Sequence, residues 1–318
     1  MFRRLLLAWY QESQRKLPWR GATDPYHILV SEIMLQQTRV AVVEERYKKF
    51  IAQFPSAERL ARAKEATVLA AWSGLGYYRR ARNLHAAAKK VAGNGGFPRN
   101  AEALRELPGI GRYTANAVAS IAFGEPVAVV DGNVKRVLQR FTGRELNEAK
   151  NWQVAAELLA VRSPGDFNQA MMELGAVVCV PGNPLCAVCP VLELCASRGA
   201  LPQPEKAARK KSIVQYSLCL KNGSVLLQQR PQNSSLMPGM WELPSSGEKK
   251  QKRQTLQPVM KLRHSITTTD YSVLVFPGNL RKGQWVPLKN VERFALTGLT
   301  RKILRKLRER ETTLQPIA

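Results

Sequence analysis

Glu32 lies within Ile28-Leu29-Val30-Ser31-Glu32-Ile33-Met34-Leu35, a run otherwise suited to a buried helix. A carboxyl placed there loses water, its pKa rises, and it keeps a proton near neutral pH that it can donate. The alternative is a glutamate on the helix's polar stripe beside Ser31 and Gln36. Asp131 follows Pro126-Val127-Ala128-Val129-Val130 and precedes Gly132-Asn133-Val134, where a helix is expected to begin. It therefore reads first as an N-cap. Capping and chemistry are compatible, because a capped aspartate is held ionised and aimed at one point. Cleavage of an N-glycosidic bond uses two such groups. The acid neutralises the departing base and the anion stabilises an oxocarbenium-like sugar, the logic of paired carboxylates in glycoside hydrolysis.

Four of the five cysteines fall in one span, Cys179, Cys186, Cys189 and Cys195, interleaved with Pro181, Pro184 and Pro190. A disulfide framework is the alternative, but cysteines this close in a chain without other signs of export more often bind metal. The spacing suits structural zinc and also a cubane iron–sulfur cluster, and it leaves the two open. Cys219 falls in a strand-like segment and reads as a small core residue.

Leu107-Pro108-Gly109-Ile110-Gly111 separates two helical stretches, Ala101–Glu106 and Arg112–Phe123. Gly109 and Gly111 around one apolar residue allow a hairpin tight enough to turn the N–H groups of the second helix's start toward an anion. An ordinary helix connection is the alternative. Charge favours the anion. The 318 residues carry 49 Lys+Arg against 24 Asp+Glu, a net +25, which points to a polyanionic partner, with nucleic acid foremost. Residues 201–318 hold 22 basic and 7 acidic side chains and residues 1–200 hold 27 and 17, so the charge is not confined to a tail.

The elements that must position these residues divide into two domains. From Phe2 to about Val178 apolar residues recur at helical spacing. Helices are predicted near 3–15, 26–36, 39–53, 65–72, 79–92, 100–106, 112–123, 133–141, 147–161 and 166–178. Residues 198–211, rich in Pro and basic side chains, read as a linker between a helical domain over 1–197 and an α+β domain over 212–318. In the second domain Ile213–Leu220 and Val225–Arg230 around Asn222-Gly223 predict a β-hairpin. A further strand is expected at Tyr271–Phe276 and an amphipathic helix at Leu299–Arg310. No stretch approaches the roughly 20 apolar residues of a membrane helix, and Leu5–Trp9 is shorter than the roughly 7–15 residues of a signal core. A soluble, cytoplasmic, nucleoid-associated monomer is expected.

Six motifs in order resemble the helix-hairpin-helix DNA glycosylases with an iron–sulfur loop, and among them the adenine DNA glycosylase family. They are Leu17-Pro18-Trp19-Arg20, Ser31-Glu32-Ile33-Met34-Leu35-Gln36-Gln37-Thr38, Trp72-Ser73-Gly74-Leu75-Gly76-Tyr77-Tyr78, Leu107 to Ala115, Val130-Asp131-Gly132-Asn133-Val134 and the cysteine loop. The resemblance implies a mainly α, two-lobed helical domain with a [4Fe–4S] cluster on Cys179, Cys186, Cys189 and Cys195, followed by a smaller Nudix-like domain. It assigns Glu32 as the acid that protonates adenine N7, and Asp131 as the group that stabilises or captures C1′, with Tyr113 and Asn133 in support. Gln37 and Tyr77 become wedges that fill the opened stack, with Thr38 and Leu75 beside the opposite base. Arg20, Gly109 and Gly111 become DNA contacts.

The implied activity is hydrolytic removal of adenine mispaired with 8-oxoguanine or guanine in duplex DNA, in base excision repair. The related endonuclease III-like enzymes carry a Schiff-base lysine where this chain has Tyr113, so a glycosylase without strand cutting is expected. The Nudix-like domain lacks a run of Arg and clustered Glu for pyrophosphate hydrolysis and is expected to bind 8-oxoguanine without cleaving. Its tip departs from the family's Phe-Ser-His. Ile266-Thr267-Thr268 follows His264-Ser265, with Thr267 and Thr268 as the lesion contacts, and strong 8-oxoguanine discrimination does not follow from the resemblance. The competing readings are an endonuclease III-like glycosylase/lyase for oxidised pyrimidines and a non-enzymatic iron–sulfur or zinc DNA-binding protein.

Overall fold

A computed structural model of the chain describes residues 1–199, 209–234, 237–245, 257–266 and 269–313, with the side chains of 266 and 310–313 left aside. Residues 200–208, in the expected linker, and Thr267 and Thr268 lie outside them. The chain divides into two compact units, Met1–Ala63 with Arg80–Pro204 and Lys64–Arg79 with Glu205–Ala318.

The first unit is helical: α1 (Phe2–Ser13), α2 (Pro25–Leu35), α3 (Val40–Gln53) and α4 (Ala57–Ala61), then, beyond α5 (Glu65–Ala71) of the other unit, α6 (Arg79–Gly93) to α11. These last are α7 (Ala101–Arg105), α8 (Arg112–Phe123), α9 (Gly132–Thr142), α10 (Glu148–Leu158) and α11 (Pro164–Val177). Each of the ten predicted helices is present. The additional one, α4, is started by the Ser56 side chain accepting from Arg59 N and is too short to show a period.

One core joins α1, α9 and α11 through Leu6, Tyr10, Val134, Leu138, Phe167 and Leu174. Truncating Leu138 or Leu174 to Ala costs about 2–5 kcal/mol by transfer and cavity terms. The other face of the unit packs α2 against α3 and α8. In α2, started by the Asp24 side chain and Pro25, every residue from Ile28 to Met34 is buried. The polar-stripe alternative for Glu32 therefore fails, and Ser31 turns its hydroxyl onto Ile28 O at 2.8 Å.

The second unit takes in Lys64–Arg79, which corrects the expected helical domain over 1–197. Tyr78 Oη donates to Leu296 O at 3.0 Å, and α5 packs on a 3-10 helix at Leu288–Arg293. Its strands are β1 (Lys210–Leu218), β2 (Leu220–Lys221), β3 (Ser224–Gln229), β4 (Trp241–Glu242), β5 (Met260–Ile266), β6 (Thr269–Pro277) and β7 (Gln284–Pro287), with α12 (Gly298–Thr313) last. The expected long hairpin is corrected. Only Leu220–Lys221 pairs with Ser224–Val225 across Asn222-Gly223, while β1 runs parallel to β6 from Lys210↔Thr269 to Leu218↔Pro277. β5 completes that sheet antiparallel to β6, and β3 is flanked by β2, β4 and β7 in a second one. Leu299, Ile303 and Leu304 of α12 close a core with Leu227, Val273 and Val275. Among the described residues no helix is long and apolar enough to cross a membrane.

Candidate active site and cysteine loop

Glu32, Tyr113, Asp131 and Asn133 come together in the first unit. Glu32 is 6% exposed, and its Oε2 accepts from Tyr113 Oη at 2.5 Å. Tyr113 is the second residue of α8, so the helix leaving the glycine hairpin delivers the phenol to the helix carrying the acid. Burial pushes the Glu32 carboxyl up to about 6. The Tyr113 hydrogen bond and the Arg20 charge pull it back, and the Asp131 charge pushes it further up. Burial also drives the Tyr113 phenol well above its usual range, and the charges of both Glu32 and Asp131 add to this. The two carboxylates thus act on one phenol and share one electrostatic site.

Asp131 caps α9, its Oδ1 accepting from Val134 N at 2.7 Å and its Oδ2 from Asn133 Nδ2 at 3.0 Å. Burial raises its carboxyl, and these bonds together with the Arg136 charge oppose the rise. The expectation of a simply ionised cap is adjusted to that extent. The arrangement pairs a carboxyl raised by burial to about 6 with a second buried carboxyl whose rise is opposed by two hydrogen-bond donors.

The remaining predicted residues are placed less uniformly. Arg20 gives its guanidinium to Glu173 Oε2 at 2.7 Å and to Gln169 Oε1 at 2.6 Å and stacks over the Tyr10 ring, an internal employment instead of an outward one. Its Nε is buried and has no hydrogen-bond partner among the described residues. Gln37 and Tyr77 are exposed, and both hold positive φ, +56° and +46°. Thr38 is partly buried and Leu75 is buried. Gly109 has φ +75°, and a Cβ there would collide with the Asn83 side chain. Gly111 is extended with nothing near its missing Cβ, so it does not need glycine's conformational freedom. It caps α8 without a side chain, leaving the first-turn N–H groups uncapped.

Sequence reasoning missed several residues. Glu173, 1% exposed, accepts from Arg15 N and Nε at 3.1 and 2.6 Å, from Arg15 Nη2 at 2.9 Å and from Arg20. Burial works to raise its carboxyl, but the Arg15 bonds and the Arg20 charge prevail and hold it below the usual range. Arg136 joins the two halves of the site. Its Nη2 donates to Asn133 Oδ1 at 2.8 Å and to Gly175 O at 2.5 Å, and its Nε donates to Cys179 O at 2.7 Å. Gly175 must be small, since a Cβ would meet Asn133 Cβ at 2.7 Å. One turn on, buried Arg140 reaches Cys179 Sγ at 3.3 Å, Val180 O at 2.8 Å and Gly182 O at 3.2 Å. The only advance signal was the i, i+3, i+7 spacing of Asn133, Arg136 and Arg140 on one helix face.

Cys179, Cys186, Cys189 and Cys195 are all free thiols, partly exposed, on a loop built from two 3-10 turns at Cys186–Val188 and Leu192–Leu194. Burial pushes the Cys189 thiol up, and the other three cysteines add to the rise. No three His, Cys, Asp or Glu side chains among the described residues converge as the ligands of a single metal ion. Four unbridged thiols on one loop, with an arginine donating to a sulfur, are a donor set that fits a Cys₄ iron–sulfur cluster.

A deep carboxyl hydrogen-bonded to a phenol, a capped aspartate at the next helix start and a glycine hairpin between helices define a class, and the family comparison agrees. Residues 30–160 match the HhH-GPD superfamily of base excision DNA repair proteins. A solved thermostable thymine-DNA glycosylase superposes with a TM-score of 0.58 at 33% identity, over 62% of this chain and 94% of that one. The adenine DNA glycosylase of Buchnera aphidicola subsp. Baizongia pistaciae is 36% identical, over 76% of this chain and 72% of its own length. That of Homo sapiens is 38% identical, over 82% of this chain and 61% of its own. The chain belongs to the adenine DNA glycosylase family. It spans about six-tenths of the length of the human relative.

Proposed function

We propose that this chain removes adenine mispaired with 8-oxoguanine or guanine from duplex DNA, as a glycosylase that hydrolyses the N-glycosidic bond and leaves the strand uncut. The observation that carries this reading is the buried Glu32 carboxyl, bonded to Tyr113 and sharing its field with Asp131. Glu32 gives its proton to N7 of the extruded adenine as the electron pair of the C1′–N9 bond passes to the base, so the base leaves neutral. Asp131, held by Val134 N and Asn133, faces the cationic sugar, and water forms the new C1′–O bond and gives up one proton to solvent. Tyr113 offers no amine for a Schiff base, which favours hydrolysis over lyase chemistry.

On DNA, Gln37 of the first unit and Tyr77 of the second are assigned as wedges for the opened stack, Thr38 and Leu75 as contacts of the opposite base, and the N–H groups after Gly109 and Gly111 as the holders of a phosphate. Arg20 contributes from behind, as a charge beside Glu32. A [4Fe–4S] cluster on Cys179, Cys186, Cys189 and Cys195 would fix the loop that presents basic side chains to DNA. The 212–318 region serves as a Nudix-like reader of the lesion, with Thr267 and Thr268, outside the described residues, as its assigned lesion contacts.

Base release from duplexes with adenine opposite 8-oxoguanine, guanine and thymine tests the proposal. Release should yield an abasic site that breaks only on added alkali, and Glu32→Gln should keep duplex affinity while losing at least about 10²-fold in rate. Release of thymine glycol with spontaneous strand cutting would establish the lyase alternative, and a Glu32→Gln protein of full function would establish the non-enzymatic one.

A further inference from the structure

The α2 helix that carries Glu32 ends without a basic residue in its last turn and without a glycine to close it. Its final carbonyls are of the kind a helix leaves unsatisfied. The chain instead passes through Gln37 at φ +56°, a conformation L side chains seldom adopt, and exposes that side chain. The closure comes from α6. Arg80, in its first turn, donates Nη1 to Ile33 O at 2.8 Å, to Met34 O at 3.0 Å and to Gln36 O, and donates Nη2 to Thr38 Oγ1 at 3.1 Å. The Thr38 hydroxyl returns to Gln36 O at 3.3 Å, and Thr38 N reaches Leu35 O at 3.2 Å. One guanidinium thus binds the residues just after the acid and both neighbours of Gln37. A strained tip of this kind persists only where its surroundings over-determine it.

We propose that Arg80 is a positioning residue for base extrusion, a clamp that fixes the left-handed turn at Gln37 and the register of Glu32 as one rigid piece. It touches neither base nor sugar and acts through the carbonyls of Ile33, Met34 and Gln36. The role assigned to extrusion rests on the glycosylase reading above. The clamp itself does not, because its geometry stands whatever the substrate.

The test uses the whole 318-residue chain, in a Glu32→Gln background that stops chemistry. 2-Aminopurine replaces the target adenine, and its fluorescence reports unstacking. Arg80→Ala should speed amide exchange over residues 33–38 by at least about tenfold, as expected when a local closing interaction is lost. It should also lower the extrusion amplitude at least about fivefold, while affinity for a duplex already opened at an abasic analogue stays within about twofold, since the cost of opening no longer has to be met. Arg80→Lys, which keeps a donor, should recover half or more of the amplitude. Unchanged exchange over 33–38 overturns the clamp. Faster exchange with full amplitude overturns its role in extrusion, as does an equal loss of affinity for closed and opened duplexes. A parental protein that extrudes nothing overturns the glycosylase reading instead, and the exchange measurement then still decides the clamp.

Discussion

Tyr113 donates to Glu32 across 2.5 Å, which makes the phenol the largest influence opposing the burial that raises the acid. With that carboxyl at about 6, the protonated fraction falls tenfold for each pH unit above it. Single-turnover base release should therefore decline along a limb centred near pH 6. Tyr113→Phe removes the bond that lowers the carboxyl's pKa, so the limb should move to higher pH. A limb that stays in place, or moves down, would separate Tyr113 from control of the acid.

The same shift has a stability consequence of fixed sign. A carboxyl raised in the fold favours folding below its unfolded value of 4.5, and this contribution is lost as pH climbs through about 6. The displacement corresponds to about 2 kcal/mol of destabilisation at pH 8 for a group this buried. Glu32→Gln should then be more stable than the parent at pH 8 by up to that amount, with the advantage gone by pH 4.5. Denaturant unfolding at the two pH values checks it, and an equal difference at both would remove the titration as its cause.

Arg136 ties Asn133, and through it Asp131, to the Cys179 carbonyl. Arg136→Ala should lower base release by about 10–100-fold, the range for loss of a supporting hydrogen bond at a functional site. Because Asn133 and Arg136 act along one path, the double variant with Asn133→Ala should be hardly worse than the poorer single one, an interaction that a double-mutant cycle reads directly. Additive losses would mean that the two residues reach Asp131 separately.

What the sequence made legible, and what it did not, follows from the range of each interaction. Glu32 stood out because its neighbours along the chain are apolar, and Asp131 because Gly132 and Asn133 adjoin it. Both signals lie within a few residues. Glu173, Arg136 and Arg80 look like ordinary charges on amphipathic helices, and their meaning lies in partners 158, 43 and 47 residues away. The second unit repeats the lesson. β5 shows an alternation, with Met260 and Leu262 buried and Lys261 and Arg263 exposed, that could have been read. The parallel pairing of β1 with β6 has no local signal, and it takes Lys210–Leu218 out of the long hairpin, of which β2 and β3 stay paired across Asn222-Gly223.

Glu173 balances Arg15 and Arg20 behind the acid. Glu173→Gln leaves both guanidiniums without their counter-charge. The cost should be about 3 kcal/mol, the low end for a broken buried pair because Arg15 is 35% exposed and screened. The unopposed positive charge near Glu32 should also move the falling limb of base release to lower pH. Calorimetry and the pH profile together check this, and a stable variant with an unmoved limb would leave Arg20 held by Gln169 alone.

The glycine hairpin supplies a test in which fold and function separate. Gly109→Ala meets both a positive φ and the Asn83 side chain, so it should destabilise the protein and weaken duplex binding together. Gly111→Ala adds a methyl group where the backbone is extended and nothing stands within 4 Å, so unfolding should be unaltered. That methyl group nevertheless sits at the uncapped start of α8, where a phosphate held by N–H groups must approach the backbone closely. Gly111→Ala should therefore lose about tenfold or more in duplex affinity, about 1.4 kcal/mol, with little change in the slope of affinity against salt, because no lysine or arginine has been removed. Unchanged affinity would assign this hairpin to helix connection alone and move the phosphate contact elsewhere on the basic surface.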